Sequence, residues 1–229
     1  MQVEIIRRLI EPGAPVRRGS YLFPENEMLR KPKILAFSGS SRKGSFNVQL
    51  LNIATEESLA AGAEVTCIDL RNFSLPIYDA DLEAEQGIPD NVRVLRELMM
   101  ANDGFLIASP EYNGSISALL KNTLDWCSRP AGGFDGLAPY RGKTVMLMSA
   151  SLSPFGGVRG LISLRGIMAK LGSVVLADDL ALATAQNAFD ENCQLFSEPT
   201  AQALRDSVTK FIKFTYALHV KPTTEMAAR

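Results

Sequence analysis

The sequence predicts an α/β protein built on a doubly wound, five-stranded parallel sheet. Two observations carry that prediction. Short apolar runs alternate along the chain with segments whose apolar residues recur every three or four positions, the period of a helix with one buried stripe. The short runs are nearly continuous in Ile, Leu, Val, Phe and Met, as strands covered by helices on both faces must be.

The elements follow in order. A strand at Ile34–Phe37 leads to a helical pattern at Phe46, Leu50, Ile53 and Ala54. A second strand, Val65–Ile68, precedes the pattern Ile88, Val92, Leu95 and Met99. The third, Gly104–Ala108, precedes Ile116, Leu119, Leu120 and Thr123. The fourth, Thr144–Met148, precedes Val158, Leu161, Ile162 and Arg165, with Ile167 and Met168 beyond. The fifth, Val174–Leu176, precedes Leu204, Val208, Phe211 and Ile212. Five strand–helix units in series are the pattern of a doubly wound sheet. Trp126 and the pair Met99–Met100 stand at helical positions and are expected in the core, and the run "DLEAEQGIPD" reads as a solvated loop ending in a helix N-terminus.

Composition bounds the function. The chain has 229 residues, of which 46% are hydrophobic and 21% charged, with a formal net charge of −1. That balance argues against a nucleic-acid binder working by bulk electrostatics. No apolar run approaches the ~18 residues of a membrane span, and none forms a signal-peptide core. Cys67, Cys127 and Cys193 are odd in number and widely spaced, as expected of reduced, mostly buried thiols in a cytoplasmic protein. There is one histidine, His219, near the end of the last helical pattern, which weakens any proposal of a His-rich metal site or a His-based triad.

Residues 33–220 form the expected domain. Residues 1–32 carry Arg7, Arg8, Arg17 and Arg18 between Pro12, Gly13, Pro15 and Pro24, and read as an arm laid on a neighbouring surface such as another subunit. Glu4 and Glu11 argue against a transit peptide. Residues 221–229 read as a disordered tail.

Two loops carry the chemistry. The first is "SGSSRKGSFN", Ser38–Asn47. Its glycines have P-loop spacing, but Ser45 and Phe46 stand where Lys and Ser/Thr belong, so the phosphate-reaching lysine is missing. The dinucleotide fingerprint fails as well, because Ser41 follows Gly39 where a second glycine is needed. What remains is a set of hydroxyls with Arg42, opening into a helix whose unpaired amides and positive dipole end favour a monophosphate. A Ser/Gly-rich turn with Ser45 capping the helix fits this loop equally well.

The second loop, Pro110–Ser115, follows the third strand. In a sheet of order 2-1-3-4-5 the strand order reverses between strands one and three, and ligands sit beyond the carboxyl ends there. Both loops therefore converge on one crevice, where Tyr112 and backbone amides stand beside the phosphate site. A flat heterocycle bearing a phosphate, FMN, suits that pairing.

The segments "SGSSRKGSFN", "LPIYDADLE", "ASPEYNGSISALLKNTLDWCSRP" and "SASLSPFGGVRG" resemble the NADPH-dependent FMN reductase family, which includes quinone, azo-dye and chromate reductases. The resemblance covers roughly residues 33–183, and the arm is an addition to the usual pattern. It implies a flavodoxin-like fold, bound FMN, NADPH or NADH as hydride donor, and a homodimer or homotetramer. It also implies that flavin N5, not a protein side chain, carries the hydride to quinone, flavin, azo or metal-oxyanion acceptors. Ser38, Ser40, Arg42, Ser45, Phe46 and Asn47 match the phosphate-end positions. Pro110, Glu111, Tyr112, Asn113 and Gly114 match the segment lining the isoalloxazine. Ser149, Ser151 and Gly156 match the loop at its pyrimidine end, and Pro76, Tyr78 and Asp81 a loop near the site and the dimer contact. Glu111 is expected to make a structural hydrogen bond, since flavin chemistry needs no enzyme base. The alternative is a flavodoxin-type electron carrier or a redox-responsive flavin-binding regulator; such carriers tend to be strongly acidic, and this chain is nearly neutral.

Overall fold

The computed structural model describes residues 30–219, so the arm (apart from residues 30–32) and the tail lie outside the described residues. The strands are β1 (Lys33–Ser38), β2 (Glu64–Ile68), β3 (Gly104–Ala108), β4 (Thr144–Ala150), β5 (Val174–Val175) and β6 (Leu180–Leu182). The helices are α1 (Phe46–Ala60), α2 (Ala80–Gln86), α3 (Asp90–Ala101), α4 (Ala118–Cys127), α5 (Val158–Lys170) and α6 (Glu198–His219). The sheet runs β2-β1-β3-β4-β5, all parallel, which is the flavodoxin-like order expected.

Alternation along the strands divides the core in two. Ile34, Ala36, Leu106, Ala108, Met146 and Met148 face α1 and α6, where Leu50, Ile53, Leu204, Val208 and Phe211 cover them. Leu35, Phe37, Phe105, Ile107, Val145 and Leu147 face Val92, Leu95, Leu120, Trp126, Leu161 and Leu164 of the opposite layer. The central strands β3 and β4 are buried along their whole length.

Three expectations need correction. The fifth strand is split: β5 pairs with Thr144 and Val145, and β6 pairs farther along with Met148, Ser149 and Ala150. Asp178 and Asp179 fall in the break, where their charges turn outward to Lys210 (3.2 Å) and Arg165 (2.9 Å). Arg165 Nη1 also donates to the Leu176 carbonyl at 2.6 Å, satisfying the interrupted backbone. The "DLEAEQGIPD" run holds the helix α2, because Asp79 caps it through the amides of Asp81 and Leu82. Finally, Met100, Cys67 and Cys193 lie at the surface, while Met99, Trp126 and Cys127 are core. Burial pushes the Cys127 thiol up to about 12, which keeps it inert.

An ionic cluster closes the amino edge of the sheet. Arg30 donates to both oxygens of Asp103 (2.6 and 2.8 Å), and Lys33 N donates to Asp103 Oδ2 at 2.8 Å. Arg30 Nη2 also reaches the His219 carbonyl at 3.4 Å, so the start of β1 and the end of α6 share one anchor. Burial opposes ionisation of Asp103, but the bonds from Arg30 and Lys33 N overcome it and hold its carboxyl below the usual range.

Burial also holds the His219 imidazole below its ordinary value; the charges of Lys143 and Arg30 add to this, against the pull of Asp103. The unfolded imidazole titrates near ~6.5 and binds more protons than the native one just below that pH. The stability contributed by the neutral ring is therefore complete above ~6.5 and is lost as pH falls through the lowered native value. Since the chain has a single histidine, urea unfolding between about pH 6.5 and 5.5 isolates this group. The unfolding free energy is expected to fall across that window, and His219→Asn to flatten the slope; an equal slope in the variant assigns the dependence elsewhere.

Candidate active site at the carboxyl edge

Three loops emerge side by side at the carboxyl ends of β1, β3 and β4, and hydrogen bonds stitch them together. Gly39 N and Ser38 Oγ both donate to the Ala108 carbonyl (2.9 and 3.0 Å). Ser117 Oγ donates to the Gly39 carbonyl at 2.6 Å while capping α4 through Leu120 N. Asn47 spans to the end of β4: its Nδ2 donates to the Ala150 carbonyl at 2.8 Å and its Oδ1 accepts from Ala150 N at 3.0 Å. Glu111 Oε2 accepts from Gly160 N at 3.0 Å, joining the β3 loop to the first turn of α5.

These bonds sort the expected site residues by what they have left to offer. Ser38 is spent within the loop, since its hydroxyl also accepts from Ser40 N at 3.1 Å. Asn47 has committed its side chain to Ala150 and keeps only its amide. Ser45, by contrast, stands at the N-cap of α1 in an extended conformation and makes no capping bond with its side chain. The capping alternative for this serine is thereby removed. The first turn of α1 holds no acidic residue, and Ser45, Phe46 and Asn47 direct their amides to the same space.

Arg42 makes no ion pair among the described residues and lies over the Phe46 ring, 5.4 Å from its centroid. Phe46 in turn stacks on Phe189 at 5.9 Å, with the planes 4° apart. An exposed cation, a free hydroxyl and open helix amides thus belong to one loop and the helix turn it enters, the donor set a phosphate monoester requires.

The β3 loop forms a two-residue hairpin. Tyr112 and Ser115 exchange backbone bonds (2.9 and 3.1 Å), and Asn113 and Gly114 both have positive φ, 53° and 78°. That is the Asn-Gly geometry of a type I′ turn. It leaves Tyr112 55% exposed at the rim, while Pro110 is buried against the sheet. Glu111 is committed to Gly160 N, in keeping with the structural bond expected of it.

Ser149, one residue before the end of β4, has a fully buried hydroxyl with no partner among the described residues. Ser151 is the pivot of a serine turn: its hydroxyl accepts from Ser153 N at 3.2 Å, and its carbonyl from Ala185 N at 3.0 Å. Gly156 and Gly157 follow with φ of 63° and 87°. A Cβ on Gly157 would stand 2.0 Å from Ser149 Oγ, and one on Gly156 would stand 2.6 Å from the Ala181 carbonyl group. The turn passes over β4 and β6 too closely for any side chain.

Farther from the crevice, Asn122 clamps the Pro76–Tyr78 loop. It accepts from Tyr78 N and donates to the Pro76 carbonyl, both at 2.8 Å. Ile77, between the clamped residues, is left 86% exposed. Tyr78 donates to Glu83, and Asp81 lies in the first turn of α2. Among the described residues, no group of three or more His, Cys, Asp and Glu side chains could hold a metal ion. No described helix is long and apolar enough to cross a membrane.

Sequence reasoning passed over Ser117, Phe189 and Arg159. Phe189 acts through a contact distant in sequence, and so does the bond from Ser117 to Gly39, although the capping of α4 by Ser117 is local. Arg159 did carry a signal, a cation in the first turn of a helix, where the dipole disfavours it.

Comparison with known proteins agrees with this geometry. A family model described as NADPH-dependent FMN reductase matches residues 32–187. An NAD(P)H-dependent FMN reductase of Pseudomonas aeruginosa is 33% identical over 178 residues, covering 77% of this chain and 91% of that protein. A quinone reductase of Escherichia coli is 32% identical over 189 residues, covering 82% and 97%. Among solved structures, a flavoenzyme NAD(P)H:(acceptor) oxidoreductase of Paracoccus denitrificans superposes with a TM-score of 0.68 at 25% identity, covering 82% of this chain and 98% of that one.

The glycine turn gives a direct test of the packing. Gly157→Ala combines backbone strain with a collision and should destabilise by roughly 2–4 kcal/mol. Gly44→Ala also has a positive φ, but open space surrounds it, so strain alone should cost about 1 kcal/mol. Chemical denaturation of both variants checks the ordering; equal losses would remove the close approach at Ser149.

Proposed function

The chain belongs to the NADPH-dependent FMN reductase family, and from that membership we propose that FMN lies across the three stitched loops, with a nicotinamide nucleotide and a quinone taking turns on its open face. The observation that carries this placement is the unspent donor set at α1: a Ser45 hydroxyl released from capping, open first-turn amides and an Arg42 without an ion pair among the described residues. Ser40 lies beside that set, buried in the same loop. The buried, unpartnered Ser149 hydroxyl supports a polar ligand atom at the other end of the crevice. FMN, when bound, supplies the two-electron chemistry, accepting hydride from the nicotinamide and returning reducing equivalents to the acceptor.

The protein's part is to bind, orient and exclude. The α1 loop fixes the phosphate end, and the Asn113-Gly114 hairpin presents main-chain donors and the Tyr112 ring along the heterocycle. Gly156 lets the β4 backbone approach without a side chain, and Ser151 holds that turn in shape. Glu111 does not act as a base, because one oxygen is held by Gly160 N. Quinones are the acceptor class we favour, as the quinone reductase of Escherichia coli covers most of the chain; free flavin, azo dyes and metal oxyanions are open to the same exposed face. The three free cysteines accord with a reducing, cytoplasmic setting. A homodimer or homotetramer accords with the rigidly held, outward-facing Ile77.

Anaerobic NADPH should bleach the flavin of the FMN-loaded protein within seconds without any partner protein; a flavin that stays yellow overturns the enzymatic reading. Charge-assisted bonds to the phosphate contribute ~1.5–3 kcal/mol each. Riboflavin should therefore bind far more weakly than FMN, and Arg42→Ala should raise the FMN Kd about tenfold. Fluorescence titration gives both values, and an unchanged Kd makes Arg42 a solvated charge. Since both substrates share one face, NADPH and quinone should give parallel double-reciprocal lines, and intersecting lines would require a second pocket. Ile77→Asp should lower the mass seen by light scattering while FMN affinity holds; an unaltered mass removes this residue from the interface.

A further inference from the structure

Arg159 contributes little to the fold it sits in. It is the second residue of α5, where the helix dipole repels a cation. Its nearest carboxylate oxygen, Glu111 Oε1, is 3.9 Å away, and the other oxygen of that group is occupied by Gly160 N. Its side chain is 59% exposed, so solvent screens this contact and it adds little to stability. Yet its position is defined: the guanidinium lies over the Phe155 ring at 4.8 Å, and its Cδ rests beside Gly114 of the Tyr112 hairpin.

Two cations border these loops, Arg42 on the hydroxyl loop over Phe46 and Arg159 beside the Gly114 hairpin. FMN carries one phosphate, and the α1 loop already holds the donors for it. The second cation stands outside the hydroxyl loop, over the ring of Phe155, which is 56% exposed. An exposed aromatic ring beside a guanidinium accepts the flat face of a purine. The same guanidinium fork fits a phosphate monoester in bidentate fashion, and that ester carries about −1.5 to −2 charges at neutral pH.

We propose that Arg159 and Phe155 form the subsite for the adenosine 2′-phosphate of NADPH, so that Arg159 sets the preference for NADPH over NADH. This rests on the crevice being the site where flavin and nicotinamide nucleotide meet. The pyrophosphate common to both nucleotides is the competing occupant, and selectivity separates the two. A pyrophosphate contact weakens NADH and NADPH alike, whereas a 2′-phosphate contact weakens NADPH alone.

The test uses the FMN-loaded full chain and two readouts. In calorimetric titration, wild type should bind 2′,5′-ADP at least tenfold more tightly than 5′-AMP, and Arg159→Ala should erase that difference. Arg159→Lys should keep part of it, as a point charge without the fork. In steady-state kinetics, Arg159→Ala should lower the kcat/KM ratio of NADPH to NADH at least tenfold, chiefly through the KM for NADPH. Equal losses for both nucleotides, an unchanged ratio, or equal binding of the two adenosine phosphates by wild type overturns the proposal. So does a change of oligomeric mass or of FMN Kd in Arg159→Ala, which would make the residue an interface or flavin contact. If neither nucleotide bleaches the flavin, the enzymatic reading itself fails, and the titration still decides whether the subsite exists.

Discussion

The reciprocal bond pair between Asn47 and Ala150 sets the geometry on which the carboxyl edge depends. It joins the first turn of α1 to the end of β4, across β3, which lies between β1 and β4 in the sheet. Asn47 is buried, so an unmade bond there would leave a desolvated amide costing roughly 1–3 kcal/mol. That asymmetry fixes the helix N-terminus relative to the strand ends. Ser117 to Gly39 and Glu111 to Gly160 extend the same logic to the neighbouring loops. A crevice built this way is shaped before any ligand arrives, which is the condition for orienting two flat rings with little reorganisation.

The two edges of the sheet divide the labour. At the amino edge, Arg30, Asp103, Lys33 and Lys143 satisfy one another and the local carbonyls, and the pKa shifts of Asp103 and His219 record that closure. At the carboxyl edge, hydroxyls, amides and two arginines retain capacity. Glu111 is committed to Gly160 N, the two arginines are not bound to a carboxylate within hydrogen-bond distance, and the backbone supplies much of the donor set. That suits a bound group whose chemistry is its own and whose protein partners need only place it.

Left-handed backbone recurs in the same region. Gly156, Gly157 and the Asn113-Gly114 pair take left-handed conformations beside the crevice, and the buried Ser149 hydroxyl has no partner among the described residues. These local costs are carried by the two apolar cores on either side of the sheet. The arrangement lets backbone, rather than side chains, line a narrow part of the site.

The sequence by itself determined the sheet, its two covered faces and the loops that carry the donors. Apolar periodicity reports burial residue by residue, and Gly, Ser and Asn report turns through local backbone chemistry. The split between β5 and β6 escaped it, because a three-residue strand has no measurable period and the break depends on Arg165 reaching from α5. Exposure of Met100 and Cys67 escaped for a related reason: a helix flank and an edge strand differ from the core only in what packs against them. Within the site, composition marked Ser38, Ser45 and Asn47 as equals. Only the tertiary structure decided that Ser38 is spent on Ala108, Asn47 on Ala150, and Ser45 not on capping its own helix. The same holds for Glu111, a carboxylate beside the crevice in sequence and a helix cap in space. Each of these assignments is a hydrogen bond between residues far apart along the chain, and local sequence carries no record of which partner such a donor finds.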